Sequence, residues 1–113
     1  MSNVVFAANL TGSDHLENCT LAIRQSEGET MSVSNLNKAI YCITYIAGFL
    51  DGIGAVQSVK PQTRLICVPV NGISSDQGIR IFVKHLRNSP ETLHEAGRVE
   101  LFIALARAFP CSK

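Results

Sequence analysis

Apolar residues recur every three or four positions over most of the chain, and polar stretches rich in serine, glycine and proline separate the runs. That period predicts amphipathic helices. The first covers residues 13–25: Leu16, Cys19 and Ile23 share a face, and Asp14 followed three residues on by Glu17 is a start signal. Residues 26–34, SEGETMSVS, read as a loop. A second helix, capped at Ser34 or Asn35, carries Leu36, Ile40, Ile43, Ala47 and Leu50 at helical spacing. Ala39, Ile46 and Phe49 widen that stripe, and the glycines of residues 52–56 end it. Two prolines make residues 57–72 an irregular connection, with a short extended piece at 65–68. Ser74 or Ser75 caps a third helix, and Asp76 in its first turn suits the macrodipole. Ile79, Phe82, Val83 and Leu86 mark its buried face, Arg80, Lys84 and Arg87 its solvent side, and Asn88 its stop. Ser89-Pro90-Glu91 opens a fourth helix, because proline in the first position costs no hydrogen bond. It bends near Gly97, continues through Leu101, Ala104, Leu105 and Ala108, and ends at Pro110. The prediction is an all-α fold: one domain over residues 13–113, a bundle of four main helices, with residues 1–12 as a flexible N-terminus or signal remnant.

The stretch AIYCITYIAGFLDGIGAV at 39–56 invites two other readings. A membrane span needs about 20 apolar residues, and these eighteen fall short, with Asp51 in the last third. The GIGAV piece mimics a dinucleotide fingerprint, but that motif needs a preceding strand, and here the glycines close a helix. Gly48 and Gly52 form a G-x-x-x-G that lets another helix approach, within the fold or across a dimer interface. Packing within the fold is the expectation.

With 113 residues, a net charge of +1 and ten scattered basic residues, the chain shows no nucleic-acid footprint. Its four cysteines, Cys19, Cys42, Cys67 and Cys111, contain no C-x-x-C pair, which argues against zinc. An even count at wide, irregular spacing suits two disulfides and an oxidising compartment; four reduced core thiols are the alternative. If the first two helices form an antiparallel hairpin, Cys19 and Cys42 lie about equally far from its turn, near 10 Å. Cys67 precedes helix three and Cys111 follows helix four, so an antiparallel pair brings them together. Cys19–Cys42 and Cys67–Cys111 are therefore expected among the three possible connectivities. VVFAAN at 4–9 looks like the tail of an export signal but lacks a basic n-region and a full apolar core. The expectation is a chain that begins within a trimmed precursor.

Chemistry is sparse. His15, His85 and His94 show no metal spacing and are expected at the surface or as caps, and no nucleophile motif is present. No catalytic, cofactor-binding or metal-binding residue is expected.

The ordered features LENC (16–19), CITYIAGFLDG (42–52), ICVP (66–69), FVKHLRNSPETLHEAG (82–97) and ALARAFPC (104–111) resemble a known family. They are similar to the Tai-type immunity proteins that neutralise type VI secretion amidase effectors. The resemblance implies a periplasmic helical protein, typically a homodimer and not an enzyme. Such a protein binds a peptidoglycan amidase and occludes its active site. It also implies effector contact through the third helix, here Ser74, Ser75, Asp76, Gln77, Arg80, Lys84 and Arg87, with residues 57–64 as a second candidate. The dimer interface would use the apolar face of helix two or four. A periplasmic structural or stress-related helical protein of the same fold, with no effector, is the competing expectation.

Overall fold

The computed structural model describes residues 9–112. Four helices, α1 (Gly12–Ser26), α2 (Val33–Val59), α3 (Ser75–Arg87) and α4 (Gly97–Ala108), build the predicted all-α bundle. Single 3-10 turns at Pro61–Thr63 and Pro90–Thr92 sit in the connections. Both expected disulfides are present: Cys19–Cys42 joins α1 to α2, and Cys67–Cys111 joins the two segments flanking the α3–α4 pair. In the loop-closure model, loops of 23 and 44 residues make them worth about 3.5 and about 4 kcal/mol.

The helix starts are set by side chains and, in one case, by the chain itself. Thr11 caps α1 in a reciprocal box: the Asp14 amide donates to Thr11 Oγ1 at 3.2 Å, and the Thr11 amide donates to Asp14 Oδ2 at 3.0 Å. The start signal is thus Thr11 with Asp14, not Asp14 with Glu17. Ser32, two residues before the expected cap, opens α2, and Ser74 opens α3.

The last helix has no side-chain cap; the Gly97 amide donates to the Leu10 carbonyl at 2.7 Å instead. In return, the Gly12 and Ser13 amides donate to the Glu95 and Leu93 carbonyls. Each helix start thus satisfies donors or acceptors of the other. This exchange corrects the expectation of one helix from Pro90 bending at Gly97. Pro90 does initiate a turn, but the Leu93 and Glu95 carbonyls turn outward to α1, so the chain breaks before α4 begins. The described unit accordingly starts ahead of residue 13, while residues 1–8 of the expected flexible or signal segment lie outside the described residues.

Glycines 52 and 54 do not end α2; Pro61 does, by driving Lys60 out of helical geometry at φ −128° and ψ 82°. The core forms where α1, α2, α3 and α4 meet, around Cys19, Cys42, Ile46, Phe82, Leu86, Leu101 and Leu105. A fully buried side chain of this kind contributes about 1.5–3 kcal/mol. The buried line of α2 is Ala39, Cys42 and Ile46, and the predicted stripe is partly inverted: Leu36, Ile40 and Ala47 face solvent.

Gly48 and Gly52 have no neighbour across from them, which corrects the expectation that they admit a helix of the same fold. Gly78 on α3 plays that part, since a Cβ there would stand 3.0 Å from Ile46 Cγ2. At 27 residues, α2 is long and apolar enough to cross a membrane, which corrects the expectation that it falls short. What ties it into the bundle is the Cys19 bridge and its packing on α1 and α3. Residues 64–69 form no strand; Gln57 holds them by accepting from the Leu65 and Ile66 amides and donating to the Ile66 carbonyl.

Candidate functional site

The C-terminal half of α1 and the outer side of α3 run beside each other and leave a cleft of about 550 Å³. Thr20, Ile23, Arg24 and Glu27 form one wall; Arg80, Val83, Lys84, Arg87 and Asn88 form the other. Its floor is aliphatic and its rim is charged. Arg24 Nε donates to Glu29 Oε1 at 3.0 Å, and a terminal guanidinium nitrogen makes a second, closer bond to Oε2. That fork lowers the Glu29 carboxyl below its usual range and raises the Arg24 guanidinium. Arg80 Nε donates to Asp76 Oδ2 at 2.9 Å, one helical turn earlier, and its other arm lies 3.6 Å from Glu27 Oε2 across the cleft. Lys84 and Arg87 stand exposed in the last turn of α3, where their charge suits the helix dipole.

The seven α3 residues named from the sequence separate into two groups. Arg80, Lys84 and Arg87 line the cleft. Ser74 is spent on capping, accepting from the Gln77 amide at 3.0 Å, and Asp76 on holding Arg80. Ser75 and Gln77 complete that first turn without joining the cleft. Residues 57–64 lie elsewhere, over the end of α2 and the 3-10 turn that follows. Thr20, Ile23, Arg24 and Glu27 escaped sequence reasoning because nothing in α1 alone says which helix its polar side meets. The charged sequence Arg24, Glu27, Glu29 was the available signal.

The buried polar groups lie away from this cleft. His15 is enclosed, its ring 4.4 Å from Tyr45 and 5.5 Å from Phe82 between centroids, and its Nε2 has no hydrogen-bond partner. Burial pushes its pKa down against the opposing pull of Asp14. Tyr45 is pushed up by burial and by Tyr41, with Arg98 opposing. His85 Nε2 lies 3.1 Å from Glu100 Oε1, which also accepts from Thr92 Oγ1 at 2.9 Å. Only His94 of the three histidines is at the surface, because the other two hold positions where α4 packs on α1 and α3.

All four sulfurs are committed to disulfides, so a cysteine nucleophile is removed, and the described residues contain no cluster able to hold a metal ion. The molecule presents a charged cleft on a bolted frame. A family model described as Rap1a immunity proteins matches residues 11–111. The chain belongs to that family. The Tai-type resemblance drawn from the ordered motifs is thereby borne out: Rap1a proteins confer immunity to type VI secretion amidase effectors. A Rap1a protein is a binding protein rather than an enzyme, in keeping with a site built from ion pairs and aliphatic surface. Searches of curated proteins and of solved structures gave no match to this Rap1a chain.

Proposed function

We propose that this Rap1a protein acts in the periplasm, binding a peptidoglycan amidase directly and covering its catalytic cleft with the outer side of α3. The family match over residues 11–111 carries the reading. Two disulfides favour an oxidising compartment and hold both partners of the α3 surface rigid. A preordered surface loses less entropy on binding. The protein works as a homodimer through the outer side of α2, where Val33 is 76% exposed, Ile40 46% and Val59 81%. Gly48 and Gly52, open to solvent in the monomer, let a second copy approach closely on this side. The exposed Val99 makes α4 the lesser candidate.

The test is co-expression with the hydrolase encoded beside its gene, exported to the periplasm. Survival is expected with the protein and lysis without it; equal lysis in both sinks the reading. For the dimer, sedimentation equilibrium of wild type and Ile40→Glu should give a dimer and a monomer, and a monomeric wild type refutes it.

A further inference from the structure

The α1–α3 cleft is polarised along its length. At one end three carboxylates, Glu27, Glu29 and Asp76, answer the two guanidiniums of Arg24 and Arg80. At the other end, Lys84 and Arg87 line the same cleft, and no carboxylate among the described residues stands within ion-pair distance of either. They are three residues apart on one side of α3, about 4.5 Å along its axis. The dipole of α3 explains why cations suit this turn. It does not explain why both face the cleft, while His85 between them turns inward to Glu100. Beside them lie the aliphatic side chains of Ile23 and Val83, and Asn88 closes the end with an amide.

Resting on the reading of the chain as an amidase-binding protein, we infer that the Lys84–Arg87 end of this cleft receives an acidic surface segment of the amidase. An aspartate or glutamate of that segment lies against the Arg87 fork and the Lys84 ammonium, and an adjacent apolar side chain lies on Ile23 and Val83. The planar guanidinium favours a carboxylate held by two parallel bonds. The carboxylates at the opposite end repel a second acid, so the segment enters in one register. The cleft volume of about 550 Å³ suits one or two side chains rather than a whole domain.

The experiment titrates the full chain with the hydrolase encoded beside its gene, at low and high salt, by calorimetry. Variants are K84E/R87E and the conservative K84R/R87K, each checked for an unchanged melting curve, with K84Q/R87Q as the replacement if reversal disturbs folding. Charge reversal is expected to weaken binding about 100-fold and to flatten its salt dependence, whereas K84R/R87K, which keeps both charges but displaces the fork, keeps the salt slope and loses about tenfold or less. If wild type binds and the reversed variant binds as well with the same salt slope, the acidic-segment inference is overturned and the amidase reading stands. If wild type does not bind the hydrolase, both are overturned. Displacement of the hydrolase from wild type, but not from K84Q/R87Q, by a free peptidoglycan stem peptide would assign the cleft to a cell-wall ligand and overturn the inference.

Discussion

Replacing Gly97 with alanine tests how firmly the starts of α1 and α4 are locked. A Cβ at this position would stand 2.1 Å from His15 Cδ2, 2.6 Å from His15 Nε2 and 3.0 Å from the Leu10 carbonyl. Ordinary contact needs about 3.5 Å, so the ring must retreat by more than 1 Å. It has nowhere to go: Tyr45 and Phe82 pack on it, and the site is fully enclosed. Overpacking of this kind costs about 3 kcal/mol at the upper end of its usual range. Against it, alanine gains up to about 1 kcal/mol over glycine in a helix, and less in the first turn. The net expectation is a loss of about 2 kcal/mol, a fall in Tm of roughly 8 °C for a chain of this size. Urea titration of Gly97→Ala, His15→Ala and the double variant isolates the clash. His15→Ala alone leaves a cavity and costs about 2–4 kcal/mol. In the double variant the ring clash is gone and only the 3.0 Å approach to the Leu10 carbonyl remains, so adding Gly97→Ala to His15→Ala should cost much less than adding it to wild type. A Gly97→Ala protein as stable as wild type, or an additive cycle, would refute the reasoning.

Three further outcomes follow from the same packing. Cys67 and Cys111 are partly exposed while Cys19 and Cys42 are fully buried, so graded reductant should open Cys67–Cys111 first; differential alkylation with mass spectrometry reads the order, and prior loss of Cys19–Cys42 contradicts it. Because His15 is held neutral with a lowered pKa, the unfolded chain binds the extra proton. Its contribution to stability is whole above about pH 6.5 and is lost as pH falls below that, at no more than about 1.4 kcal/mol per pH unit. Urea midpoints from pH 7.5 to 4.5 should therefore decline less in His15→Phe than in wild type. Gln57→Ala removes the acceptor shared by two amides, and hydrogen exchange should quicken at Leu65 and Ile66 with little change in α1.

The helix count, the all-α class and both disulfides were legible because they depend on local periodicity and on antiparallel bookkeeping of helix lengths. The outer half of α3 was legible too: its apolar positions leave one face, and Arg80, Lys84 and Arg87 are on the other. What the sequence hid depends on partners distant along the chain. Leu36 and Ile40 looked like core since α2 is apolar all round, and only the position of α1, fixed by Cys42, decides which side is covered. The break before α4 was invisible because it is made by Leu10, Gly12 and Ser13, some 80 residues away in sequence. His15 read as a surface residue for a similar reason: its burial needs Tyr45, Phe82 and a glycine on α4. The far wall of the cleft, Arg24 and Glu27, needed the α1–α3 packing before it could be assigned to any site.

The two bridges join consecutive cysteines, first with second and third with fourth, and the covalent loops they close do not overlap. A chain threaded N-terminus first into an oxidising compartment can seal Cys19–Cys42 as soon as residue 42 arrives, before the α3–α4 half has entered. Cys67 then finds only Cys111 unpaired. First-come oxidation of such a chain leads to the native connectivity, so the pairing itself calls for no reshuffling step.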